Sequence, residues 1–387
     1  RQSLPERSRD KEIKARQDRL DIIAHAGEIH VIGETQRARL RCECFGQLTA
    51  ADYDQKHQFL TLGTSAGRVL QAELNYVSTP AADGASAISA RPEIVAELAI
   101  GEPGTAITAI GFGEASEAKL LAVVQGGKVH ATAFTVARSM MGKGAVEKLW
   151  EKDLTALLPG PAERILVDDK AESIVALDAE GRITVLAADD ADVRVFQQPF
   201  QPFADLADRR VASMDFLFGD VSLVLTAHSG ENRIFSLFID EALQKRQYGP
   251  TKDLPPLSSG ATAYANSVRN KAFLLADGRQ VSLRFATSAT VRWEGEVPYA
   301  VRDVALSGKY DRIFMLDEHG VVHDFALDDP HPEAGLRAFF GKVWYEGGDG
   351  PEFSWQSSGS TDDFEPKLSL VPLIVGTLKG TLYAMLF

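Results

Sequence analysis

Cysteine is almost missing from this chain: Cys42 and Cys44, in RLRCECFG, are the two it has in 387 residues. Alternate residues on a strand share a face and such neighbours rarely bridge, so a disulfide framework is excluded. Cys-Glu-Cys lacks a second ligand pair to complete a zinc site, and both residues read as ordinary strand cysteines. A basic surplus is missing too. The 41 Lys and Arg are outweighed by 54 Asp and Glu, for a net charge of −13. That argues against a nucleic-acid surface, because phosphate binding needs clustered cations. Helical periodicity is scarce, there is no P-loop, and Arg1–Leu20 has no apolar h-region of a signal peptide. Before Leu368 no run is apolar for long enough to span a bilayer.

What fills the space is a succession of short runs rich in Val, Ile, Leu and Phe, punctuated by Gly, Asp and Asn. One pattern recurs: apolar strand, polar turn, apolar strand, tight turn, third strand. Its copies are Leu48–Leu74, Ile107–Phe134, Arg164–Ala188, Val211–Phe238, Thr262–Ala286 and Val301–Leu327. They recur every 40–60 residues or so, the period of propeller blades. The tight turns are the sharpest shared element: SAGR, QGGK, AEGR, SGEN, DGR and EHGV. Glycine there supplies the positive φ of a hairpin turn. A single copy would leave an open edge and an exposed apolar face, both of which radial stacking hides. The pattern predicts an all-β β-propeller over 22–330, WD40/YVTN-like, with six or seven blades. Ile22–Glu34 has the same strand, Gly turn, strand look and tips the expectation towards seven.

Several stretches break the rhythm. Thr79–Pro92 and Asp240–Ser259 read as surface insertions, the second with a helical patch, EALQKRQY, and a Pro-rich connector. Residues 1–21 form a charged tail, with seven basic and four acidic side chains in Arg1–Leu20. Such runs lie on the cytoplasmic side before a first span, or are simply solvated. Residues 331–367 form a connector with clustered aromatics: Phe339, Phe340, Trp344, Tyr345, Phe353 and Trp355. Two readings of it stand: an interfacial belt beside a membrane, or a linker packed against the propeller.

Candidate chemistry is thin. Gly63-Thr64-Ser65-Ala66-Gly67 matches G-x-S-x-G, but a nucleophile elbow needs a strand-to-helix turn and this pentapeptide joins two strands. His319, His323 and His331 lie near Asp324, Asp328 and Asp329 at no zinc spacing, and read as surface histidines beside an acidic loop. Gly111-Phe112-Gly113 does not complete a dinucleotide fingerprint. The pairs Asp168/Asp169, Asp189/Asp190 and Asp362/Asp363 read as solvated turn residues. No catalytic residue, cofactor or metal is expected.

Leu368–Phe387, LSLVPLIVGTLKGTLYAMLF, is apolar with one charge, Lys379. It reads as the start of a transmembrane helix over 368–387. Lys379 would be a functional charge inside a span, or an interfacial one on an incomplete or amphipathic helix. The stretch FGKVWYEG…WQSS…DDFEPKLSLVPLI…GTLKGT…YAMLF, within Phe340–Phe387, resembles a permease subunit of the phosphate-type ABC transporter family. It looks like the bacterial branch with a large domain inserted between the first and second transmembrane helices. The resemblance implies that the propeller lies in the periplasm, on an inner-membrane protein, facing the transporter's substrate-binding protein and its other permease subunits. It implies that the membrane-entering residues include Pro366, Lys367, Leu370, Pro372, Gly376 and Lys379, and that the ATPase-coupling motif lies beyond Phe387. The chain is accordingly expected to be part of a longer membrane protein, with the first span outside it. The function expected is a non-catalytic binding or docking domain of an import permease. Competing expectations are an enzyme or small-ligand sensor with a site in the central channel, and a cytosolic WD40-like scaffold, which the missing Trp-Asp endings argue against.

Overall fold

The computed structural model describes residues 21–25, 28–32, 37–41, 46–54, 59–80, 86–115, 118–139, 142–189, 192–217, 221–240, 245–267, 269–359 and 364–386. Residues 1–20 of the charged tail, Cys42, Cys44, Asp190, Asp362 and Asp363 lie outside them. The chain divides into two compact units, one within Pro5–Gln201 and the other within Pro202–Phe387.

In the first unit, β1 (Asp21–His25), β2 (Glu28–Ile32) and β3 (Arg37–Arg41) form a three-stranded antiparallel sheet lying against β7, the outer strand of the next sheet. Three four-stranded meanders follow. They are β4 (Leu48–Asp54), β5 (Phe59–Thr64), β6 (Arg68–Pro80) and β7 (Ser86–Ala99); β8 (Ile107–Glu114), β9 (Lys119–Gln125), β10 (Lys128–Ser139) and β11 (Gly142–Asp153); and β12 (Ala162–Val167), β13 (Ser173–Asp178), β14 (Ile183–Asp189) and β15 (Asp192–Val195).

The second unit repeats the plan with β16 (Val211–Phe216), β17 (Ser222–Ala227), β18 (Asn232–Asp240) and β19 (Lys245–Leu254). Next come β20 (Ala263–Asn266), β21 (Ala272–Asp277), β22 (Gln280–Phe285) and β23 (Thr290–Glu296). The three-stranded sheet β24 (Val301–Leu306), β25 (Arg312–Asp317) and β26 (Val322–Ala326) closes the series. Then come a short helix α1 (Leu336–Phe340), the two-residue ladder of β27 (Trp355–Gln356) with β28 (Lys367–Leu368), and a helix α2 (Val371–Leu386).

The six sheets from β4 to β26 coincide with the six sequence repeats, one sheet to a repeat. The second strand of each is almost wholly buried, which is why LLAVV, SIVAL, SLVL and AFLLA show no apolar–polar alternation: both faces are covered. The core therefore lies in layers between consecutive sheets. Val69, Ile107, Phe112 and Val123 pack the β4–β7 and β8–β11 sheets together, and Ile165 and Ile174 continue against Val124. In the second unit Leu274, Val281, Val304 and Met315 do the same for the last two sheets. Every tight-turn glycine has positive φ, from 58° at Gly126 to 100° at Gly230. Gly111 and Gly113 serve packing instead. A Cβ on Gly113 would stand 2.1 Å from the Asp168 carbonyl oxygen, so the inner strands β8 and β12 approach each other more closely than any side chain permits.

Two expectations are corrected. Of Thr79–Pro92, read as a loop, residues 79–80 and 86–92 belong to the arms of the long β6–β7 hairpin, whose pairing runs out to Pro80 and Ser86, and residues 81–85 lie outside the described set. The EALQKRQY patch, read as helical, supplies instead the start of β19, which pairs with β18 from Asp240–Lys245 to Asn232–Leu254. Residues 241–244 of it lie outside the described set. Cross-strand pairing overrides local helical preference here. Pro250 is tolerated because β19 is an outer strand, next to a bulge at Ile234/Phe235.

Candidate docking site

The aromatic connector is not a free tether. Glu346 forms an ion pair with Lys271, whose side chain is buried at the entrance to β21. Its backbone N–H donates to Glu365 Oε2 at 2.7 Å, and the Thr287 hydroxyl donates to Glu365 Oε1. The Ser222 hydroxyl lies beside the Glu346 carboxylate. Ser222 in turn shares a 2.7 Å hydroxyl contact with Ser236, which meets Thr251 at 3.0 Å. Lys252, half-buried on β19, feels Glu365 and Glu346 as well as Lys271 and Arg337. Burial holds its amine below the usual lysine range and pushes the Glu346 carboxyl up, against the pull of Lys271. Two lysines from the sheets thus face two glutamates from the connector inside one lattice. Trp344 adds an edge-on contact with Phe238, ring centroids 5.4 Å apart, and its indole N–H donates to the Gly348 carbonyl at 2.8 Å. Tyr345 is 2% exposed.

The same connector seats the foot of α2. The Leu370 N–H donates to the Phe339 carbonyl at 2.8 Å, the Ser369 N–H to the Ser354 carbonyl at 3.0 Å, and the Leu370 carbonyl accepts the Ile374 N–H. Lys367 lies over the Tyr345 ring and 3.4 Å from Glu352. Pro366 precedes β28 and is half-buried. Pro372 falls in the first turn of α2, where a missing N–H leaves no bond unmade. Gly376 and Lys379 lie on the exposed body of the helix. The structure therefore brings Pro366, Lys367, Leu370 and Pro372 together at the junction and leaves Gly376 and Lys379 out along the helix.

α2 itself has 16 residues and buries none of them. Leu373, Ile374, Val375, Leu378, Leu382, Tyr383, Met385 and Leu386 are all exposed, Met385 to 80%. At 100° per residue they cover roughly three-quarters of the circumference. The helix is about 24 Å long, against about 30 Å for a bilayer core. Among the described residues no helix is long and apolar enough to cross a membrane.

The other candidates disperse. Ser65 stands in an exposed hairpin turn, its hydroxyl accepting the Gln47 N–H at 3.1 Å. His323, expected at the surface, is buried. It stacks on Tyr299 with centroids 3.9 Å apart, and its Nε2 meets Asp317 Oδ2 at 2.9 Å. It takes the one buried position of β26, and the motif reading gave no sign of it. His331 meets Glu333, Asp324 pairs with Arg312, and Asp329 takes Arg292 at 2.6 Å and the Tyr310 hydroxyl at 3.1 Å. Among the described residues no group of three or more His, Cys, Asp and Glu could hold a metal. Asp168, read as a solvated turn residue, is buried and accepts the Glu172 and Ser173 N–H groups at 2.8 Å. Burial pushes its carboxyl up to about 6. The lattice around Glu346 was missed altogether, since its members are scattered from Ser222 to Glu365 and no local spacing betrays them.

No family model matches the chain, and no curated protein does. Solved structures are similar to it. The β-propeller domain of Myceliophteria thermophila Cps50 (Swd1) is 10% identical, over 80% of this chain and 92% of that one, with a TM-score of 0.53. A chain of a mitotic checkpoint complex is 9% identical, over 80% and 87%, with a TM-score of 0.51. At such identities the likeness shows the fold alone: an all-β, six-bladed β-propeller with WD40-like repeats.

Proposed function

We propose that this β-propeller is a non-catalytic docking domain carried at a bilayer surface, an accessory extracytoplasmic part of a phosphate-type ABC import permease. In this reading α2 enters the inner membrane, and the blades stand in the periplasm and receive the transporter's substrate-binding protein. The observation that carries it is α2: a helix apolar around most of its circumference, burying none of its side chains, and joined to the blades by a connector that a buried ion pair ties down. A protein groove would cover one face of such a helix; hydrocarbon covers all of it. The resemblance of Phe340–Phe387 to the permease run supplies the machine.

The channel-centred reading, an enzyme or ligand sensor, finds less support. The carboxyls of Asp52 and Asp168 are both raised to about 6 by burial, as a catalytic acid's would be. Yet Asp52 accepts the Phe112 N–H at 2.8 Å and Asp168 accepts two N–H groups, so both are engaged in holding backbone. Chemical cross-linking in native membranes, followed by mass spectrometry, tests the proposal. Cross-links from blade lysines to an anion-binding protein and to permease subunits are expected; cross-links only to unrelated proteins would refute it.

A further inference from the structure

We propose that the foot of α2 carries a headgroup collar, in which Leu336, Phe340, Phe353 and Trp355 seat in the interfacial layer of an anionic bilayer and Arg337 and Lys342 meet lipid phosphates. This rests on the reading of α2 as bilayer-inserted and names what the chain meets at the surface.

The distribution of exposed apolar side chains carries the argument. Outside α2, the large exposed hydrophobics among the described residues are Tyr53, Leu149, Val195, Phe196, Ile239 and Trp293, spread through both units, and then Leu336, Phe340, Phe353 and Trp355 within one short stretch. Leu336 is 78% exposed and Trp355 43%. Leu336 and Phe340, four residues apart, share one face of α1, and α1's Phe339 carbonyl accepts the Leu370 N–H just before α2 begins. Trp355 pairs across β27–β28 with Leu368, and the Ser354 carbonyl accepts the Ser369 N–H. All four are therefore tied by backbone to the base of the helix. The packed members of the aromatic cluster, Trp344 and Tyr345, point the other way, into the blades.

Charge agrees with this placement. Lys342 lies 5.8 Å from the Phe353 ring centre, so the cation and the aromatic share one spot. Arg337 and Lys342 are exposed and have no ion-pair partner among the described residues. Three neighbouring carboxylates are already engaged, Glu346 by Lys271, Glu365 by Thr287 and the Glu346 N–H, and Glu352 by Lys367, while Asp349 stays exposed. Aromatics with basic side chains at the end of an apolar helix form the pattern that anchors at headgroup level.

Two reporters in the whole chain test it, with vesicles of phosphatidylglycerol and phosphatidylcholine carrying bromine at shallow or deep acyl positions. With Trp150, Trp293 and Trp344 replaced by Phe, Trp355 should shift to the blue and be quenched more by shallow than by deep bromines. In a second variant, with Trp355→Phe added, Leu378→Trp should be quenched by the deep ones. Hydrogen exchange of the unaltered chain should show slowing at 353–356 when vesicles are added. Arg337→Gln with Lys342→Gln should weaken partition onto anionic vesicles roughly thirtyfold, from ~1 kcal/mol per basic side chain. If Leu378→Trp is quenched while Trp355 is unmoved and exchange at 353–356 is unchanged, the collar is wrong and the inserted helix stands. If Leu378→Trp is not quenched either, the underlying reading falls and the collar with it. Equal partition onto pure phosphatidylcholine would overturn the phosphate contacts.

Discussion

A single carboxyl illustrates how burial is balanced within the blades. Asp168 terminates β12 and gathers the Glu172 and Ser173 N–H groups, a useful clasp that water no longer reaches. Its native carboxyl, raised to about 6, binds a proton more tightly than it does in the unfolded chain, where it titrates near 3.9. Stability from this group is complete below the unfolded value and is lost as pH rises through about 6. Asp168→Asn keeps an oxygen for both N–H groups and removes the titration. Urea unfolding at pH 4 and pH 7 should therefore show the wild type losing on the order of 2 kcal/mol relative to the variant between the two. A constant difference would show that the carboxyl is not desolvated as described. None of this could be read from Asp168-Asp169 as letters. An acidic pair in a turn reads as solvated, and only the approach of β8, permitted by Gly111 and Gly113, shuts water out.

At the scale of elements, the glycine turns were legible because their φ requirement is local, and the second strands because both faces of a stacked sheet are apolar. The fourth strands were not. β19, KRQYGPTKDL, carries charges and a proline, because an outer strand meets water along much of its length. The six repeats were each read as three strands, and tertiary pairing supplies the fourth in the first five. Also hidden was a bulge near the start of the first strand, at Leu48/Ala50, Ile107/Ala109, Ala162/Arg164, Val211/Ser213 and Val301/Asp303. It recurs in shape without recurring in residue type, and it adds local twist. The connector's aromatics supported two readings, and the structure divides them: Trp344 and Tyr345 pack on blades, while Phe340, Phe353 and Trp355 stay exposed. The lattice that holds the connector makes a sharp prediction. Glu346→Gln leaves the buried Lys271 ammonium without its counter-charge and should cost about 3–5 kcal/mol locally, seen as protease sensitivity across 336–370. Lys271→Met with Glu346→Leu should restore resistance, since replacing both charges removes the desolvation penalty. Equal sensitivity in the single and double variants would mean that the ion pair does not secure the connector.

For the molecule as a whole, two kinds of surface coexist. The blades bring a strongly acidic composition that favours dispersal in water. α2 brings a column of exposed leucine, isoleucine, valine and methionine that water does not favour. A rigid connector between them makes sense if the second is immersed in hydrocarbon while the first works in solution beside it. Flotation of the whole chain with anionic vesicles in a density gradient tests this most directly, comparing wild type with Leu378→Asp/Leu382→Asp. The account predicts that the wild type rises with the vesicles, its α2 shielded from protease, and that the variant stays in the aqueous fraction with its blades still folded. A wild-type chain that remains below with α2 open to digestion, or a variant that floats as well, would contradict it.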